Sequence, residues 1–439
     1  MDITKKNIVK MSLPTMIALS STILVGVLSL LIISRIDGYS IAIAAITSVI
    51  LLNVGSVLNG LGYAVNFIIA QAFGKGDTNE LGDILHKSLT SSIIYGFVIV
   101  IFALLLPETI FSLMGASDEI IQHGVHYMSI RVVALCFVVV SKVLIGYLRG
   151  VGDTKMPMQA LVISNAISIV LAFLLAFGHI GFPELGLIGV AIAFFVAECI
   201  QMLMLLVITI KRESISLGRI ISVKLRHLGY LNKEGLKIGF EDFGINVTMI
   251  FFIAFATRLG VTEVASSEIA LNILQLAYLP GYAFGITGTV LVGQAFGAKD
   301  KAHSQRSHRN LALKILISSL FFMVPISLIC FLFPNQLVTL FAIGEVDIHR
   351  YATLAIRLAS LFLVFDGLQL VLSGVLRGVG DNTFLMVSSL ILGCLFFVPF
   401  CFFVTFVLNL GFVGIWLSFY IYILFLFICL ALRTKKIFK

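Results

Sequence analysis

The chain has 439 residues, of which 59% are hydrophobic and only 12% charged, with a mean hydropathy of +1.10. Soluble globular domains carry about 25% charged residues, so that class is excluded. The net charge of +8 would suit a nucleic-acid binder, but the placement of the basic residues points elsewhere.

Apolar runs near 20 residues read as bilayer-spanning helices. Twelve are predicted in chain order: 13–34, 40–72, 88–110, 127–147, 157–179, 186–210, 238–258, 265–297, 311–333, 351–373, 384–408 and 411–432. The expected fold class is therefore an all-α integral membrane protein. The second and eighth runs exceed one bilayer thickness and hold several glycines, which predicts tilt or bending. Pro280, followed by Gly281 and Gly285, makes the eighth the best candidate for a bend.

Lys5, Lys6 and Lys10 precede the first span; Lys75 and Lys87 follow the second, and Arg149 and Lys155 the fourth. Lys211, Arg212, Arg219, Lys224, Arg226, Lys233 and Lys237 follow the sixth, and the pattern continues through Lys299 to Lys314, Arg377 and Arg433 to Lys439. The opposite loops hold few bases: Arg35, Arg258 and Arg350. This asymmetry puts both termini on the cytoplasmic side. Basicity here sets orientation, and nucleic acid is not an expected partner. The N-terminal run is too long for a signal peptide and lacks a small-residue cleavage site, so it reads as the first span.

Two nine-residue stretches mark a tandem duplication: GYLRGVGDT at 146–154 and GVLRGVGDN at 374–382. AQAFGKGD at 70–77 likewise returns as GQAFGAKD at 293–300. Six spans per half is an even number, so the repeats are parallel, related by a pseudo-twofold axis along the membrane normal. The expected organisation is a six-helix lobe over 1–210, a basic cytoplasmic linker over 211–237 and a second six-helix lobe over 238–439. The glycine-rich marker lacks the strand and the G-x-x-x-x-G-K spacing of a phosphate cradle. It reads as a tight helix-to-helix turn, with Arg149/Asp153 and Arg377/Asp381 placed to form local ion pairs.

Charges inside spans cost on the order of 2.5–3.5 kcal/mol on insertion scales, so each is a functional candidate. Asp366 lies eleven residues before Arg377, roughly 16 Å along a helix and hence near the midplane. Gln369 and Ser373 extend it into one polar stripe. The functional reading is a carboxylate that binds a cation or proton; the bland one is a structural hydrogen bond. On the seventh span Asp242, Asn246 and Met249 share a face, although Glu241 or Asp242 also suits a helix start, where acids complement the dipole. On the eighth, Glu268, Asn272 and Gln275 repeat at helical spacing, as cavity lining or inter-helix contacts. Glu198 and Gln201 on the sixth span are singletons, and Lys142 on the fourth is placed to snorkel to the inner surface. Asn53, Asn59, Asn66 and Asn165 read as packing contacts. The six cysteines lie within spans and read as core residues. No His/Cys/Asp cluster has metal spacing, no nucleophile elbow occurs, and the histidines (His86, His123, His126, His179, His303) are expected mostly in loops. Neither enzyme chemistry nor a bound cofactor is expected.

The duplicated L-R-G-x-G-D turn, the Q-A-F-G ends of spans two and eight and ALNI at 270–273 together resemble the MATE (multidrug and toxic compound extrusion) transporters over nearly the whole chain. That superfamily also holds polysaccharide and lipid-linked oligosaccharide flippases. The resemblance implies a V-shaped, monomeric pair of lobes in a bacterial cytoplasmic membrane. It implies alternating access, and export of small organic, often cationic, amphiphiles coupled to inward Na+ or H+. Asp366 falls where the NorM-type branch places its carboxylate, in D-x-x-Q-x-x-x-x-G-x-L-R-G. The glutamate of span seven falls at Met249, for which Asp242 is the candidate substitute, and Glu268 stands where relatives often have glutamine. The first-lobe acids fall at Ser29 and Ala172, with Ser168 in place of an asparagine. An acidic second-lobe site of Asp366, Glu268 and Asp242 remains, with Asp366 and Glu268 as possible Na+ ligands and Asn246, Asn272, Gln275 and Gln369 beside them. A lipid or polysaccharide flippase is the alternative, set back by having only Lys142, Arg131 and Arg357 as intramembrane bases. A regulatory protein that has lost coupling is the third.

Overall fold

The computed structural model describes residues 4–212, 223–298, 305–339 and 345–439. Arg219, Lys299 and His303 lie outside them. The described residues form helices without a strand, as they must where no water competes for backbone groups. In order the helices are α1 (Lys5–Ile33), α2 (Gly38–Lys75), α3 (Thr78–Leu105), α4 (Pro107–Leu113), α5 (Asp118–Gly150), α6 (Lys155–Phe177), α7 (Gly186–Ile210), α8 (Gly229–Leu259), α9 (Val261–Ala277) and α10 (Leu279–Gly297). Then follow α11 (Gln305–Leu332), α12 (Pro334–Thr339), α13 (Val346–Val379), α14 (Asn382–Val407) and α15 (Gly411–Ile437).

Eleven of these are long and apolar enough to cross a membrane; α9 and α10, bent by 44° at Tyr278, make a twelfth when taken as one broken span. The bend falls where Pro280 was expected to produce it, because a proline early in α10 removes a donor to the turn before it. α2, the other long run, is a single unbroken helix of 38 residues. Within α14, Pro399 lies between two π-helical stretches, Ile391–Phe397 and Phe403–Val407. A proline that cannot donate is accommodated there by wider turns.

Several helices run well past their apolar cores. α3 starts at Thr78, capped by Asp77, which accepts from the Glu80 amide at 3.1 Å. α5 starts at Asp118. His86, His123 and His126 are therefore helical, which corrects the loop placement; apolar content marks the membrane-embedded part of a helix, whereas capping sets its end. α8 likewise begins at Gly229, inside the segment read as linker.

The chain divides into two compact units, Ile17–Gly239 and Met1–Met16 with Phe240–Lys439. The core of the first has α5 at its centre, packed by α2, α3 and α7; α6 lies against α7. The second has α13 at its centre, packed by α9, α10, α11 and α15. Large apolar side chains such as Leu104 and Phe321 are exposed on the outside, as expected where the solvent is lipid.

The duplicated marker ends both central helices and does three jobs. A Cβ on Gly146 or Gly374 would collide with the carbonyl oxygen of Gly62 on α2 or of Gly285 on α10, respectively. One turn on, a Cβ on Gly150 would lie 2.6 Å from Ile69 Cγ2, and one on Gly378 2.8 Å from the Thr289 carbonyl. This small-x-x-x-small spacing lets two backbones touch. Gly152 and Gly380 then adopt φ +93° in the turn, a conformation glycine reaches without a Cβ penalty. The aspartates that follow do not pair with their own marker arginines. Asp153 pairs with Arg212 just beyond α7, and Asp381 Oδ2 accepts from Arg433 Nε on α15 at 2.7 Å. Each turn is thus tied to the end of its own unit's last long helix. The marker arginine sits a full turn further back on its helix, on the far side of the cap.

Candidate functional site

In the second unit, Asp366, Gln369 and Ser373 lie on one face of α13 and are all buried, with Asp366 9% exposed. α13 can bring them inward because its neighbour is smooth. A Cβ on Gly281 would lie 3.0 Å from Gly367 Cα, and one on Gly285 2.7 Å from the Leu370 carbonyl oxygen. Further along the same face the stripe continues into an ion pair that the sequence did not reveal. Arg377 Nη2 donates to Glu241 Oε2 at 2.9 Å, and Ser373 Oγ donates to Glu241 Oε1 at 3.2 Å. Glu241 is buried and twelve residues into α8, so the helix-start reading is overturned: the helix begins earlier than its apolar core.

Around Asp366 the neighbours are aromatic. The Tyr278 hydroxyl lies beside its carboxylate, and the Tyr420 hydroxyl lies beside that of Tyr278. Neither makes a hydrogen bond of standard geometry. Tyr420 stacks on Phe362, with ring centroids 5.1 Å apart, and on Trp416 at 6.1 Å. Tyr278 occupies the α9–α10 break, and Tyr420 comes from α15. Sequence reading missed both. Tyr278 was within reach, since it follows Gln275 by three residues on the polar stripe and sits two before Pro280. Tyr420 lies in an unbroken aromatic run and carries no such signal.

Among the described residues no basic side chain pairs with Asp366, in contrast to Glu241. Of the other candidates, Gln369 shares the buried face of α13, and the rest lie on α8 and α9. Glu268, Asn272 and Gln275 are exposed along one face of α9, and Asn272 Nδ2 donates to the Glu268 backbone oxygen at 2.8 Å. No hydrogen bond or ion pair among the described residues joins Glu268 to Asp366. Asp242 and Asn246 are half-buried on α8, and Met249 packs against the second unit's core. No group of three or more His, Cys, Asp or Glu residues gathers as a metal would need, among the described residues. A buried carboxylate with one phenol beside it suits a proton or a small hard cation.

The first unit has a polar interior of its own. Arg131 and Glu198 approach at 3.6 Å, and the guanidinium lies 4.0 Å from the Phe194 ring centroid. Lys142 is close enough to Glu198 for electrostatic contact. Ser164 donates to Gln201 at 2.9 Å, and Asn165 Nδ2 to Ser21 at 2.8 Å. Ser29 bonds its own helix, at the Gly26 carbonyl, and Ala172 is fully buried. Neither position supplies an acid.

A match to the MatE family spans residues 14–174 and 238–403, one stretch in each half. The chain belongs to the MatE family. Similar MatE-type proteins include the "Probable multidrug resistance protein NorM" of Thermotoga maritima, 25% identical over 419 residues, covering 94% of this chain and 88% of that one. Another is the "Probable multidrug resistance protein YoeA" of Bacillus subtilis, 25% identical over 366 residues, with coverage of 82% and 78%. Among solved structures, an outward-facing multidrug resistance MATE family transporter of the MOP superfamily superposes with a TM-score of 0.90 at 22% identity, covering 99% of this chain and 96% of that one. A MOP superfamily transporter from Pyrococcus furiosus, whose binding pocket is described as having reverse polarity, gives 0.88 at 24% with the same coverage. These likenesses establish the MatE fold of the chain.

Proposed function

We propose that this MatE protein is a multidrug exporter that drives small organic, often cationic, amphiphiles out of a bacterial cell by antiport against H+ or Na+. It works from the cytoplasmic membrane with both termini inside. The observation that carries the reading is the isolation of Asp366. Glu241 and Glu198 each have an arginine partner, and Asp366 has none among the described residues. A lone carboxylate in a low-dielectric interior is stable only when a cation or a proton neutralises it. A driving ion and a cationic passenger then compete for one negative charge, and binding of either favours release of the other. One elementary charge moving down about 100 mV supplies roughly 2.3 kcal/mol for uphill export. Tyr278 lies beside the carboxylate, and the stacked Phe362 and Trp416 hold Tyr420 behind it. Glu268 and Asp242 add negative potential from α9 and α8. The relatives' multidrug-resistance names support the passenger class. The experiment is ethidium efflux from cells expressing Asp366→Asn at wild-type level: export should fall at least tenfold, and undiminished export would remove Asp366 from the mechanism.

A further inference from the structure

The first unit contains a groove that the export reading does not use. It holds about 440 Å³ between α1 and α6, within the roughly 300–1,000 Å³ that ligand sites take. Helical spacing builds it. Leu28, Leu31, Ile32 and Arg35 form one stripe at i, i+3, i+4 and i+7, and Ile169, Val170, Phe173, Leu174 and Phe177 form the facing one. Along α6 the stripe is roughly 12 Å long. Its walls are apolar, and Leu31, Val170 and Phe173 are each more than two-fifths exposed.

One end of the groove differs. Arg35 stands in the turn after α1, and α6 ends nearby in Gly178 and His179. The His179 ring centroid is 5.0 Å from Phe173 and 6.2 Å from Phe177. No acidic side chain pairs with Arg35 among the described residues. Asp37, two residues on, is committed to the α2 cap, accepting from the Ser40 amide at 2.6 Å, and Glu184 packs against Gly178. An apolar slot that ends at an exposed guanidinium complements a hydrocarbon chain carrying a negative head.

We infer that this groove is a binding site for an anionic phospholipid of the surrounding bilayer. The lipid enters from the leaflet at the α1–α2 turn, with one acyl chain between the α1 and α6 stripes and its phosphate on Arg35. The lipid is a bound component and not a passenger, so the site stands or falls independently of Asp366.

Native mass spectrometry of the purified full-length protein, given equimolar phosphatidylglycerol and phosphatidylcholine, tests this. Wild type should retain one more phosphatidylglycerol than Arg35→Gln and prefer it about fivefold at that site, the effect of roughly one basic side chain near an anionic head. Arg35→Lys should keep the preference. Val170→Trp, or Leu31→Trp from the α1 side, fills the slot and should release the same lipid at an unchanged melting temperature. An Arg35→Gln protein with wild-type preference would overturn the site, as would filled-groove variants that hold as much phosphatidylglycerol as wild type.

Discussion

Removing Glu241 should be among the most damaging single substitutions in the second unit. Its side chain is 6% exposed and that of Arg377 12%, so Glu241→Ala removes the buried carboxylate that Arg377 pairs with and strips Ser373 of its acceptor. Breaking a buried pair from one side costs about 3–5 kcal/mol. A chain unfolded within a membrane finds alternative partners, so the lower end, about 3 kcal/mol, is expected here. For a unit of this size that corresponds to roughly 6–12 °C in melting temperature. The assay is thermal unfolding of the detergent-solubilised protein followed with a thiol-reactive dye, since Cys330 and Cys401 are free and buried in the same unit. The double variant Glu241→Leu/Arg377→Leu removes both charges of the pair. It should recover most of the loss, with a coupling of about 2 kcal/mol. Additive losses, or a Glu241→Ala shift below one degree, would show that the pair does not hold α8 to α13 as described.

Gly374→Ala and Gly146→Ala should abolish folded expression, because a methyl at either position meets backbone and not a movable side chain; fluorescence-detected size exclusion reads this directly. Gly55→Ala, with nothing within 4 Å of its Cβ position, should instead stabilise by about 0.5–1 kcal/mol. Asp381→Asn removes a partly exposed pair with Arg433 and should cost no more than about 1 kcal/mol. Ile180 is a β-branched residue at φ +57° and 87% exposed; Ile180→Asn should raise stability by about 1 kcal/mol, as measured by melting temperature.

The span count, the bend near Pro280 and the duplication were legible because they rest on apolar run length, a missing backbone donor and repeated letters. The marker was only half legible. Its final glycine and aspartate announced a turn, but the roles of Gly146 and Gly374 depend on which helix crosses there, and no local pattern states that. The ion-pair partners of Asp153 and Asp381 were misplaced for the same reason: Arg212 and Arg433 lie 59 and 52 residues away. Asp366 stood out because a carboxylate is rare at that depth. Glu241 looked like a helix-start residue because apolar content begins only after α8 has run through several polar turns. Tyr420 could not be singled out among its aromatic neighbours, since what distinguishes it is lying beside Tyr278 from another helix.

The claim that an unpaired carboxylate on α13 links the driving ion to export is tested most directly in proteoliposomes, by following ethidium movement under a pH step and, separately, a sodium step. Wild type should respond to one of the two gradients, and Asp366→Asn should lose that response while still folding and binding ethidium. Gradient-driven transport by the variant at the wild-type rate would contradict it, as would a wild-type protein that ignores both gradients.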